Sequence, residues 1–157
     1  MRDIFDVEAV KDPLLLVARI LMMLLFLVFG SQKLTAFGGT MGYFGNLGVP
    51  MPAIATCIAI AVELGVGTAI ILGLFTRPLA IVLAIYTIVV ALIGHPVWTL
   101  SGADQINAEI NFFKNVSIMG GLFVLFITGA GRYSLDSRLD LDLPRSVDNQ
   151  RLHTTVI

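Results

Sequence analysis

Five ionisable side chains stand inside long apolar runs or at their edges: Arg19, Lys33, Glu63, His95 and Lys114. A charge at membrane depth costs at least about 2.5–3.5 kcal/mol, so such residues turn toward protein or water and mark pairing or chemistry. Arg19 and Glu63 are the deepest. Counted along the spans described below, Arg19 lies roughly 9 Å from one membrane face and Glu63 roughly 15 Å from the other. Across about 30 Å of hydrocarbon the axial gap is about 6 Å, within reach of an arginine side chain. The expectation is a buried Arg19–Glu63 ion pair, direct or through water, with a structural role ahead of a catalytic one because pairing relieves the insertion cost.

Lys33, His95 and Lys114 gather toward the other face, with Trp98, Asn111 and Asn115 close in sequence. These six predict an outer polar pocket. His95 is the residue suited to proton exchange, since an unperturbed imidazole titrates near 6.5. The two lysines suit an anion or a carbonyl oxygen. A plainer reading has equal weight: both lysines snorkel to head groups, Trp98 anchors at the interface, and His95 bonds a loop carbonyl. Six methionines and two histidines show no metal-ligand spacing, so no metal site is expected. Cys57 is the only cysteine, which excludes an internal disulfide and reads as packing.

The elements that position these residues follow from composition. The 157 residues are 57% hydrophobic and 13% charged, with a mean hydropathy of +0.90. A soluble domain of this size cannot bury so much apolar surface. Four stretches are long enough to cross a bilayer as helices, at about 20 residues each: residues 13–32, 53–75, 78–97 and 111–130. Pro13 suits a first helical position. Thr76-Arg77-Pro78 is read as a tight antiparallel hairpin, and residues 33–52 and 98–110 as loops. The runs lack the alternation of barrel strands. The first twelve residues hold two basic and four acidic side chains, unlike a signal peptide. The predicted fold is all-α, a polytopic membrane four-helix bundle over residues 1–136, followed by a polar, mobile cytoplasmic tail over 137–157.

Each span carries a small or polar stripe. On the first it is Arg19, Met23, Phe26, Gly30 and Lys33; on the second, Ala55, Ala59, Glu63 and Gly67. The third has Ala84, Thr87, Ala91 and His95, and the fourth Lys114, Ser117, Gly121 and Thr128. These faces are expected to meet at the bundle axis. Seven basic residues (Arg2, Lys11, Arg77, Arg132, Arg138, Arg145 and Arg151) fall on the side of the termini, against Lys33 and Lys114 on the other. That bias predicts both termini in the cytoplasm. The net charge of −1, with no basic run, gives no reason to expect nucleic-acid binding.

The order of motifs resembles the DoxX family of small four-helix membrane proteins, in particular its YphA-like inner-membrane branch. The resemblance rests on Arg19, on Phe29-Gly30-Ser31-Gln32-Lys33-Leu34, on Glu63 and on Gly73-Leu74-Phe75-Thr76-Arg77-Pro78. It continues through Gly94-His95-Pro96-Val97-Trp98 and Asn111-Phe112-Phe113-Lys114-Asn115, and ends in the run from Thr128 to Asp136. It implies an inner-membrane location. Some members are the membrane subunit of a thiosulfate:quinone oxidoreductase and others join an oxidative-stress complex. The resemblance therefore implies a quinone-interacting oxidoreductase subunit with a redox partner protein. The sequence itself shows no nucleotide, haem or thiol-pair motif, so electrons must come from elsewhere. A non-enzymatic scaffold that docks a partner is the alternative. A small-molecule transporter ranks third, because no paired repeat or interrupted helix is evident.

Overall fold

Lipid offers no partner to a backbone N–H or C=O, so a chain this apolar is driven to satisfy its backbone within helices. The computed structural model describes residues 7–139, and every regular element within them is helical. The elements are α1 (Val7–Thr35), α2 (Phe37–Asn46), α3 (Pro52–Ile60), a π-helical turn (Ala61–Val66), α4 (Gly67–Leu72), α5 (Thr76–Gly94), α6 (Gly102–Thr128) and α7 (Leu135–Arg138). Four units are long and apolar enough to span: Val10–Thr35, Pro52–Leu72, Thr76–Gly94 and Gly102–Thr128. Their outward faces carry large exposed apolar side chains such as Leu21, Ile58, Ile85 and Ile127, as a lipid-facing surface requires.

Several boundaries differ from the sequence reading. Pro13 lies inside α1 rather than at its start; it removes a single backbone donor, a loss that membrane helices tolerate. Residues 37–46 form α2 despite their glycines. Helical propensity is weak beside the need to satisfy backbone groups next to lipid. The hairpin turn is Gly73–Phe75, and Thr76, Arg77 and Pro78 already belong to α5. Helix α6 starts at Gly102 rather than near Asn111. At 27 residues it is about 40 Å long and overreaches the hydrocarbon. The expected tail begins inside α7 at Ser137, and residues 140–157 of that tail lie outside the described residues.

Helix α1 runs antiparallel to the unit formed by α3, the π turn and α4, and three close approaches fix the register. A Cβ placed on Gly30 would lie 2.8 Å from Leu64 Cδ2 and 3.0 Å from Glu63 Cβ. One on Gly67 would touch Leu27 and Phe26, and one on Gly73 would collide with the Arg19 guanidinium. Helices α5 and α6 form the most extensively packed pair. The core between these two layers is Met23, Phe26, Ile70, Ala80, Leu83, Ala84, Leu122 and Leu125.

The expected stripes on α1 and α5 face inward. Arg19, Met23, Phe26 and Gly30 are buried, as are Ala84, Thr87 and Ala91. On the second span Ala59, Glu63 and Gly67 are buried and Ala55 partly so. The fourth stripe is corrected: Lys114, Ser117 and Thr128 are exposed. Helix α6 instead buries Ala108, Leu122 and Leu125, because large apolar side chains fill the groove beside α5 better than small polar ones.

At the hairpin end α4 closes as a Schellman motif, with Gly73 N–H donating to Ile70 O (3.0 Å) and Leu74 N–H to Ala69 O (2.9 Å). Gly73 has φ +71°, which suits glycine. The Asp136 carboxylate accepts the Phe75 N–H (2.7 Å) and the Thr76 N–H (2.9 Å). It thus caps α5 at the positive end of that helix's dipole. In return Asp136 N–H donates to Gly73 O (2.7 Å). Arg19, fully buried, donates from Nη2 to Tyr133 O at 2.6 Å. The segment after α6 therefore straps the hairpin to α1.

Candidate functional site

Glu63 sits in the π turn, where one residue more than an α-helix allows is wound into the span. Such turns re-aim side chains and recur at functional sites. The backbone stays internally bonded, so the span is not unwound as in many transporters. The carboxylate is buried and takes two donors. Lys33 Nζ donates to Oε2 at 2.8 Å and Tyr86 Oη donates to Oε1 at 2.6 Å. Gly30, one turn before Lys33, lets α1 approach closely enough for that bond. A Gly30→Ala variant is expected to lose about 1–3 kcal/mol, as overpacking does. Gly120→Ala, where an added Cβ meets nothing within 4 Å, should leave the denaturation midpoint in detergent unchanged.

Glu63 is therefore paired with Lys33, and the expected Arg19–Glu63 pair is not formed. The register explains why. Gly30 faces Glu63, and Arg19 lies eleven residues further along α1, about 16 Å away along the axis. That separation places Arg19 opposite Gly73 and within the field of Asp136. The depth estimate failed because α1 and α3 are not flush: α3 reaches beyond the end of α1, so equal counting from both ends misplaces Glu63.

Lys33, Glu63 and Tyr86 open onto a cavity of about 200 Å³, which His95, Asn111, Lys114 and Asn115 also line. Five of the six residues expected in the outer pocket are thus brought together. Trp98 is not among them. It is exposed and packs edge-on against Phe112, with centroids 6.5 Å apart, as an interfacial anchor does. Lys114 is exposed along its stem and donates to Asn111 Oδ1 at 2.7 Å. Leu25, Phe26, Phe29 and Val90 supply apolar walls.

Tyr86 escaped the sequence reading. It is the only aromatic residue with a hydroxyl in the third span, and a buried tyrosine hydroxyl needs a partner, which was the available signal. Asp136 escaped as well, because its cap is built across sixty residues of sequence.

His95 follows the last residue of α5 and lies outside the span. Burial, with the Lys114 charge adding to it, pushes its imidazole below the usual value near 6.5. The ring is thus neutral in the folded protein at neutral pH. As pH falls below about 6.5 the unfolded chain takes up this proton before the folded one, so stability is full above that value and is lost through the window beneath it. Melting temperatures from pH 8 to 5 should fall less steeply for His95→Gln than for wild type. Equal slopes would remove His95 from the account.

With Lys33 and Glu63 neutralising each other and His95 neutral, Lys114 leaves the cavity with an excess positive charge. The chain matches the DoxX family model over residues 14–96, more than half its length and the part that supplies Lys33, Glu63, Tyr86 and His95. It belongs to the DoxX family. Inner membrane protein YphA of Escherichia coli is 46% identical over 134 residues, covering 85% of this chain and 96% of the relative. Inner membrane protein YqjF of the same organism is 38% identical over 133 residues, covering 85% and 97%. No solved structure matches. This DoxX chain is a small integral membrane protein with four helices able to span, and both relatives carry the name of inner membrane proteins.

Proposed function

We propose that this DoxX chain is a membrane subunit that binds a quinone-type head group in the Lys33–Glu63–Tyr86 cavity, with a partner redox protein supplying electrons. The observation that carries the reading is the union of hydrogen-bond donors and a buried carboxylate with apolar walls in one cavity of about 200 Å³. A ring with carbonyl oxygens fits that set: Lys114 and Asn115 are placed to donate to oxygen, and Leu25, Phe26 and Val90 to pack on the ring. Reducing such a ring takes two electrons and two protons. Tyr86, hydrogen-bonded to Glu63, and His95, at the edge of the span, form a route by which protons reach the cavity. Both termini are assigned to the cytoplasm by the seven-to-two bias of basic residues; reporter fusions at Ile157 and within α2 test it.

The reading is tested by extracting quinone from protein purified in mild detergent. Wild type should carry a substantial fraction of one equivalent, and His95→Ala and Lys114→Met should carry several-fold less. A wild-type protein with no quinone, and none gained on addition, rejects it. A scaffold role is the second reading, favoured by α6, which buries the smallest share of its apolar stretch among the four spans and leaves Phe123 exposed. A stoichiometric partner lost on Phe123→Ser, with quinone content unchanged, would favour it.

A further inference from the structure

A second cavity of about 340 Å³ runs along the seam between α1 and α2. Its walls include Phe29 and Lys33 from α1, Ala36 at the junction, and Gly39, Thr40 and Tyr43 from α2. Phe29 and Lys33 also line the head-group cavity. The divider between the two spaces is thus one side-chain pair, with Lys33 Nζ 5.6 Å from the centroid of the Phe29 ring. Phe29 is 43% exposed on a spanning helix, so the divider faces lipid. Helix α2 has no buried residue, and a Cβ on Gly39 would meet nothing within 4 Å. The α2 wall of the seam is open where a side chain would otherwise stand. From the loop end the approach is narrower. There Tyr43 reaches across to α5, its hydroxyl 3.8 Å from where a Gly94 Cβ would sit.

We propose that the ligand is an amphiphile with an apolar tail, and that it enters sideways from the bilayer. Its head passes Phe29 into the Lys33–Glu63 cavity and its tail lies along the seam under α2. This rests on the head-group reading above and adds the class of ligand and the route. The head-group cavity holds a ring and little more, and the adjoining second space is larger. A tail arriving from lipid is already in apolar surroundings, so the seam favours it by fit between side chains rather than by removing it from water. The Phe29–Lys33 contact is the natural gate, because Lys33 is held on one side by Glu63 and on the other only by the face of an aromatic ring.

The test uses the full chain in lipid nanodiscs, with two probes: unsubstituted benzoquinone and a decyl-substituted benzoquinone. Binding is read by quenching of Trp98, the single tryptophan. Gly39→Leu fills the seam. Gly42→Leu, on the same helix but outside the cavity lining and with open space around it, controls for effects on α2 and for partition into lipid. The expected result is a loss of about tenfold in decyl-probe affinity for Gly39→Leu alone, because a leucine there overpacks the seam against the tail, with the tail-less probe within about twofold for both variants. If Gly39→Leu weakens neither probe, or both equally, the tail route is wrong while the head-group reading stands. If neither probe saturates wild type, the head-group reading fails and the tail route fails with it.

Discussion

Asp136→Ala is expected to destabilise the folded chain by about 3–5 kcal/mol, the loss typical of removing one partner from a buried charged network. Asp136 is 4% exposed and accepts two backbone N–H groups at the start of α5. It is also the charge that acts on the buried Arg19 guanidinium. Its removal leaves two helix-end donors without an acceptor. It also leaves Arg19 with the Tyr133 carbonyl as its one hydrogen-bond acceptor among the described residues. Asp136→Asn should fall between, because an amide oxygen accepts one N–H while its own NH2 faces the other donor. Arg19→Met in the Asp136→Ala background should recover part of the loss by removing the uncompensated charge. Denaturation midpoints in detergent measure all three. A midpoint for Asp136→Ala within experimental error of wild type would mean that the strap after α6 does not hold the hairpin.

Glu63→Leu should cost about 1–3 kcal/mol and abolish ligand binding. The stability loss is smaller than at Asp136, because the Lys33 side chain is 22% exposed and is able to turn toward head groups. Tyr86 also loses the acceptor that its hydroxyl holds at 2.6 Å. Adding Lys33→Met to Glu63→Leu should restore part of the stability, as an apolar replacement for a buried pair often does. Binding should not return, because the floor of the cavity is gone. A double variant that binds as wild type does would separate the ion pair from function.

Much of this fold is legible in the residues. The four spans follow from run length alone, and the inward faces of α1 and α5 follow from the spacing of Arg19, Met23, Phe26 and Gly30 and of Ala84, Thr87 and Ala91. The convergence of Lys33, His95, Asn111, Lys114 and Asn115 is legible as well, since the counted apolar runs put all five toward one face, although α6 begins at Gly102 and carries its three near mid-helix. What is not legible is axial register. Arg19 and Glu63 lie at similar counted depths, yet α3 extends past α1, and that offset is set by where Gly30 meets Leu64. The inward face of α6 is hidden for a related reason: both its faces carry apolar residues, and only contact with α5 selects Leu122 and Leu125 over Gly121 and Thr128. The π turn leaves no mark in the sequence either, although it decides where Glu63 points.

The two polar centres divide the work of the molecule. Arg19, Tyr133 and Asp136 fix the hairpin end, away from the cavity. Lys33, Glu63 and Tyr86 stand beneath the opposite end, where apolar walls and His95 complete the cavity. The central claim is that Glu63 is held by Lys33 and not by Arg19, which is what places its carboxylate in the cavity. A pair of double-mutant cycles in detergent, Lys33→Met with Glu63→Leu and Arg19→Met with Glu63→Leu, measures this directly. The account predicts a coupling energy of at least about 1 kcal/mol for the first pair and one within about 0.5 kcal/mol of zero for the second. Strong coupling between Arg19 and Glu63, with none between Lys33 and Glu63, would contradict it.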